Sequence, residues 1–227
     1  MITRYRPDVP DGQEMTDVAL FQLPVTGLLR ISSLGPAGTS SEQACRALQG
    51  HLLRRGHESV QIDLCDQYEE AGDRLLAGDC ELVVVANAYS GVERFYMDPG
   101  LRLAAVFVKD TPHYGIAAVP GAGIGEKAAV VTHPAPRALI NELLPERFDL
   151  TEVVFASSTS AAAEAVAKGE VPLALTTALA ARLHGLEFLS RTRPIRMVWS
   201  VFTRAELLDE DRPASARRSE TGRSLVW

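Results

Sequence analysis

The chain has 227 residues, enough to bury a real core as one domain of two lobes or as two small domains. Its 23 basic and 29 acidic residues leave a formal charge of -6 without long runs of either sign, which argues against a nucleic-acid surface. Cys45, Cys65 and Cys80 show neither a disulfide framework nor metal-ligand spacing, and no apolar run approaches the roughly 20 residues a membrane helix needs, so buried free thiols in a cytoplasmic protein are expected.

Residues 1–27 mix Pro, Gly, Asp and Gln without periodicity and read as an N-terminal arm. From residue 28 to about 204, short apolar runs alternate with helical patterns. Strands are expected at 29–33, 60–64, 82–86, 103–108, 114–119, 128–132, 153–156, 173–175 and 198–202. Helices are expected at 41–55, 66–77, 90–97, 135–144, 159–168 and 177–184. The uninterrupted V-V-V at 83–85 has the pattern of a strand covered on both faces, and the whole predicts an α/β fold with mainly parallel sheets. Between 107 and 118 two strand-like runs follow one another across D-T-P-H with no helix between them, as in a chain crossing between lobes; a second return is expected near 190–194. After residue 204 the sequence is polar and charged with no apolar stripe, and 205–227 is expected to be a disordered tail.

The chemistry concentrates where strands give way to helices, the place α/β sheets use for their sites. L-G-P-A-G-T-S-S-E-Q-A at 34–44 sets a glycine-rich turn and three hydroxyls, Thr39, Ser40 and Ser41, at a helix start. Thr39 and Glu42 have capping-box spacing, and the free N–H groups and positive dipole end can receive a carboxylate or phosphate. A-S-S-T-S-A-A-A at 156–163 repeats the device with Ser158, Thr159 and Ser160, and two such termini, one in each half, suit a dianion. Plain helix capping is the alternative for each. The buried strand at 82–86 exits through Asn87, Tyr89, Ser90 and Gly91, a donor-rich turn. V-V-T-H-P-A-P places Thr132 and His133 at another strand end, and His113 lies in the crossover. Either histidine can act near neutral pH or simply bond within a turn. In M-V-W-S-V-F one face is apolar, and the other presents Trp199 or Ser200 to a cleft; plain packing is the alternative for Trp199.

Taken in order, G-P-A-G-T-S-S-E-Q-A, V-V-V-A-N-A-Y-S-G-V, T-H-P, S-S-T-S-A-A and W-S-V-F resemble the catalytic domain of prephenate dehydratases over residues 30–204. The resemblance implies a fold like type II periplasmic binding proteins: two α/β lobes, an interlobe cleft and a two-segment hinge. Lobe 1 would be about 28–108 with 190–204, and lobe 2 about 109–189. Two departures stand out. Ala86-Asn87-Ala88 occupies the place of the dehydratase E-N-S or E-N-T, and Ser200-Val201-Phe202 that of T-R-F. The fuller strings N-A-Y-S-G-V-E-R-F-Y-M-D-P-G-L-R-L, D-T-P-H-Y-G, H-P-A-P and M-V-W-S-V-F are similar to the bacilysin-type prephenate decarboxylases, non-aromatising relatives serving natural-product pathways.

That resemblance implies prephenate as substrate and neither metal nor organic cofactor. It implies Thr39, Ser40, Ser41, Ser158, Thr159 and Ser160 at the carboxylates, with Asn87, Ala88 and Trp199 along the substrate. Tyr89, Tyr114, His133 and Ser200 are the catalytic candidates, the first three as proton donors. Absence of the glutamate at Ala86 and the arginine at Val201 is expected to withdraw help from hydroxyl departure. A homodimer is left open. The alternatives are a divergent dehydratase, in which Ser200 keeps the hydroxyl of the motif threonine, and a silent carboxylate-binding protein.

Overall fold

Val83, Val84 and Val85 are wholly buried because helices cover both faces of the sheet that contains them. The computed structural model describes residues 16–20 and 27–209. Strands β1 (Thr16–Leu20), β2 (Leu28–Leu34), β3 (Ser59–Cys65), β4 (Leu82–Ala86), β5 (Leu101–Asp110) and β11 (Arg196–Arg204) form a six-stranded sheet in the order β1-β5-β11-β4-β2-β3. Helix α1 (Ser40–Arg54) lays Ala44, Cys45, Leu48 and Leu52 on one face, against Leu29, Ile31, Val84 and Val201. Helices α2 (Tyr68–Ala77) and α3 (Glu93–Met97) cover the other face with Tyr68, Leu75 and Phe95 against Val83, Val85 and Phe202.

The second sheet is five-stranded, with β6 (Tyr114–Ala118), β7 (Lys127–Thr132), β8 (Asp149–Phe155), β9 (Leu173–Thr177) and β10 (Glu187–Phe188) in the order β10-β6-β9-β7-β8. The short helix α4 (Ile140–Leu143) packs Ile140 and Leu143 on Ile116, Val130 and Leu175. Helix α5 (Thr159–Ala167) packs Ala162 and Val166 on Val131 and Ala174, and α6 (Ala178–Leu183) follows β9 directly.

Both sheets are mixed, which corrects the expectation of mainly parallel strands. The β2/β3, β2/β4, β7/β8 and β7/β9 pairs are parallel, whereas β6 and β11 run against their neighbours. The reason is connectivity: β6 and β11 begin where the chain arrives from the other sheet, so each runs away from the edge at which the parallel strands end.

The arm contributes edge strand β1, antiparallel to β5, a signal that lies in its partner and not in its own pattern. The rest of the arm lies outside the described residues. Helix α7 (Ala205–Asp209) occupies the first residues of the expected tail, and residues 210–227 also lie outside. The helix expected at 135–144 divides into a 3-10 turn, Ala135–Leu139, and α4. Pro134 and Pro136 lack amide donors, so the α-helical ladder starts only beyond them. All three cysteines are buried and free.

Candidate active site

The ends of β2, β4 and β5 and the start of β11 share one edge of the first sheet, and the ends of β7, β8 and β9 and the start of β6 share one edge of the second. Two passages connect the sheets, and they are tied side by side. Thr111 donates its N–H to the Ile195 carbonyl at 2.9 Å, Ile195 donates to Thr111 Oγ1 at 3.0 Å, and Tyr114 and Arg193 exchange backbone bonds at 2.8 and 3.0 Å. His113 Nδ1 lies 3.1 Å from Thr192 Oγ1, which makes it a bonded residue of this paired crossing.

The glycine turn at 35–39 reaches across to the second sheet. Thr39 caps α1 by accepting the Glu42 N–H at 3.2 Å, and the Glu42 carboxylate accepts the Gly38 N–H at 2.8 Å, closing the box one residue earlier than the spacing predicts. Thr177 Oγ1 then donates to the Gly38 carbonyl at 3.0 Å, Ser160 Oγ donates to the Ala37 carbonyl at 2.8 Å, and Ser40 Oγ lies 3.2 Å from the Tyr114 hydroxyl. The N-termini of α1, α5 and α6 are thereby gathered around one turn.

The structure thus brings Thr39, Ser40, Ser41, Ser158, Thr159 and Ser160 into one region, yet most of their hydroxyls are already engaged. Ser41 bonds the Tyr68 hydroxyl at 2.7 Å, and that phenol also accepts the Ala86 N–H at 3.3 Å. Ser158 caps α5 by accepting the Ala161 N–H at 2.9 Å, and Ser160 also lies 3.3 Å from His184 Nε2. Thr159 is buried, with its carbonyl accepting from Thr176 Oγ1 at 2.6 Å. What remains for an anion is the first-turn N–H groups of α1 and α5 other than those of Glu42 and Ala161, together with the hydroxyl pair of Ser40 and Tyr114.

The strand exit at β4 carries exposed Asn87 and Ala88. Ser200 is wholly buried and donates to Asn87 Oδ1 at 2.7 Å, while its oxygen lies 2.6 Å from the Tyr96 hydroxyl. Ser200 is therefore shut off from solvent, with Asn87 and Tyr96 as its partners. Tyr89 turns its hydroxyl away, donating to Glu69 on α2; burial and that bond push its pKa up to about 12. Trp199 is core, its ring among Leu29, Leu48 and Phe107 and its Nε1–H donating to the Lys109 carbonyl at 3.2 Å, so the packing reading holds for it. Val201 lies in the same apolar cluster, remote in character from any polar site.

Tyr114 is buried, which raises its pKa and keeps the phenol neutral. His133 is half-buried, its pKa is lowered by desolvation, and its Nδ1 accepts the Ala135 N–H at 3.2 Å. Both are neutral donors at pH 7, His133 through Nε2–H. Sequence reasoning passed over Tyr68, Tyr96, Thr177 and His184. Thr177 alone carried a readable cue, a hydroxyl between a strand and a helix like that at Ser158; the others meet the site only through tertiary contacts.

Comparison with known proteins identifies the family and the fold. The sequence profile of the family described as Prephenate dehydratase matches residues 31–204. A protein named prephenate decarboxylase from Bacillus subtilis is 38% identical over 194 residues, covering 82% of this chain and 92% of the relative. One of the same name from Planktothrix agardhii is 38% identical over 177 residues, covering 77% and 87%. Among solved structures, the prephenate dehydratase of Arthrobacter aurescens in complex with L-Phe superposes with a TM-score of 0.59 at 20% identity, covering 78% of this chain and 60% of the other. A periplasmic substrate-binding protein of an ABC transporter from Coxiella burnetii gives 0.51 at 16% identity, covering 82% and 87%. These two show the fold alone: two α/β halves of the periplasmic-binding-protein type.

Proposed function

The chain belongs to the prephenate dehydratase family, and from that membership and its likeness over most of the chain to prephenate decarboxylases we propose that it decarboxylates prephenate without making the ring aromatic. In this reaction the bond from the ring to its carboxylate breaks and carbon dioxide leaves. The freed electron pair enters the diene, a ring carbon takes a proton, and the C4 hydroxyl stays, giving a dihydro-4-hydroxyphenylpyruvate. A dehydratase instead lets the hydroxyl depart as water, for which an acid must protonate the C4 oxygen as its bond to the ring breaks.

The observation that carries the choice is the exit of β4. Ala86-Asn87-Ala88 offers an amide and no carboxylic acid, and Tyr114, beside Ser40 between the sheets, and His133, just past the end of β7, are neutral donors. Donors of this kind hold the hydroxyl by hydrogen bonds without the driving force to expel it. The N-termini of α1 and α5 suit the two carboxylates of the substrate. The pyruvyl carboxylate is held firmly and the ring carboxylate loosely, since a tight grip on the reacting group would stabilise the ground state. Closure of the glycine turn on α5 and α6 excludes water and raises the energy of the ring carboxylate relative to a departing neutral molecule. Tyr114 and His133 are the proton donors this reading favours over Tyr89, whose hydroxyl is committed to Glu69.

The three buried free thiols fit a reducing, cytoplasmic setting. A keto acid of this kind is a precursor of a non-proteinogenic amino acid, and biosynthesis of an antibiotic or other natural product is the role proposed. The purified chain mixed with prephenate is expected to release carbon dioxide and yield a non-aromatic keto acid that retains oxygen. Phenylpyruvate in the ultraviolet spectrum would make it a dehydratase, and unchanged prephenate would make it a binding protein.

A further inference from the structure

The geometry points to Tyr96 as a positioning residue that, through Ser200, fixes which face of the Asn87 amide meets the substrate; this rests on the prephenate reading above. Ser200 has one proton, and it goes to Asn87 Oδ1 at 2.7 Å. The Tyr96 hydroxyl, 2.6 Å from Ser200 Oγ, is therefore the donor in that pair. Protons run one way along the relay, from Tyr96 to Ser200 to Asn87, and the Asn87 carbonyl is consumed at its end.

The consequence is at the strand exit. Asn87 is exposed there, with its backbone held by donation of its N–H to the Val198 carbonyl at 3.1 Å. With Oδ1 turned inward, the two amide N–H bonds face outward, which is the face a dicarboxylate needs. An unconstrained amide populates both orientations when no ligand is bound, and an anion must first select the one with the N–H groups outward. Tyr96 is suited to the task because its ring is held edge-on to Phe202 at 4.9 Å between centroids, although 42% of the residue is exposed. It stands on α3 and Ser200 on β11, 104 positions apart, so the relay also joins the element after β4 to the returning strand.

A double-mutant cycle tests this with prephenate as the probe, measuring kcat, KM and thermal midpoint for the unmutated enzyme, Tyr96→Phe, Asn87→Ala and the pair. Tyr96→Phe is expected to lower kcat/KM about five-fold, the worth of one neutral hydrogen bond, with the loss mainly in KM. In the Asn87→Ala background the same change should cost nothing further, because no amide is left to orient. Ser200→Thr, which keeps the hydroxyl, should lose less kcat/KM than Ser200→Ala, and Ser200→Ala should lose at least as much as Tyr96→Phe. A Tyr96→Phe loss equal in both backgrounds, or absent in both, overturns the inference. An unmutated enzyme that leaves prephenate unchanged overturns the function first, and this inference with it.

Discussion

His133 stands at the end of β7 with one ring nitrogen already occupied. Its Nδ1 accepts the Ala135 N–H, so the proton resides on Nε2, and burial depresses its pKa from the ordinary 6.5. Because the folded value is the lower one, the unfolded chain takes up this proton first as pH falls. The stability contributed by the neutral ring is thus complete above about pH 6.5 and is lost as pH drops through the folded value. An NMR titration is expected to show the Nε2–H tautomer and a midpoint below 6.5. His133→Gln, which keeps a donor at the corresponding place, should preserve activity within about ten-fold if the ring only donates a hydrogen bond; a loss of about 100-fold or more would make the ring a proton-transfer group. Tyr89 shows the same principle from the other side: a phenol read as facing the ligand is fixed on Glu69. Gly91 permits this, since a Cβ there would lie 2.7 Å from the Tyr89 hydroxyl oxygen.

At the scale of elements, β11 decides which parts of the dehydratase pattern can matter. Its side chains alternate, so Trp199 and Val201 enter the cluster under α1 while Ser200 and Phe202 face α3. Val201→Arg would bury a guanidinium among Leu29, Ile31 and Leu48 and is expected to cost about 3 kcal/mol or more, read as a lowered midpoint in urea. A variant of unchanged stability with some phenylpyruvate product would show that an arginine can reach the site from this strand after all. The strands that bury both faces or one, such as 82–86 and 128–132, were legible because periodicity records burial. So were the helix starts at Thr39 and Ser158, because capping is local chemistry. The strand direction of β6 and β11, the pairing of β1 and the partners of Tyr68 and Tyr96 were not. Each depends on segments distant in sequence, and a hydroxyl's own neighbours do not say whether it faces a ligand or another side chain.

For the whole molecule, the glycine turn is the joint through which the sheets meet at the site. Gly38 has φ +86°, a conformation L side chains rarely adopt, and a Cβ on it would come within 3.3 Å of both Ala180 Cα and Ser160 Oγ. Gly38→Ala therefore strains the turn and wedges it away from α5 and α6, where it receives the hydroxyl protons of Ser160 and Thr177. Strain of about 1 kcal/mol at one residue lies within the reach of a stable fold, so the variant should still fold. Its effect should fall on closure. KM for prephenate is expected to rise about ten-fold, equivalent to about 1.4 kcal/mol, and the unliganded protein should show a larger radius of gyration by small-angle scattering. An unchanged KM together with unchanged scattering would mean that the paired crossings at Thr111 and Tyr114 suffice to hold the sheets together, and that the turn binds substrate, if at all, without acting as a latch.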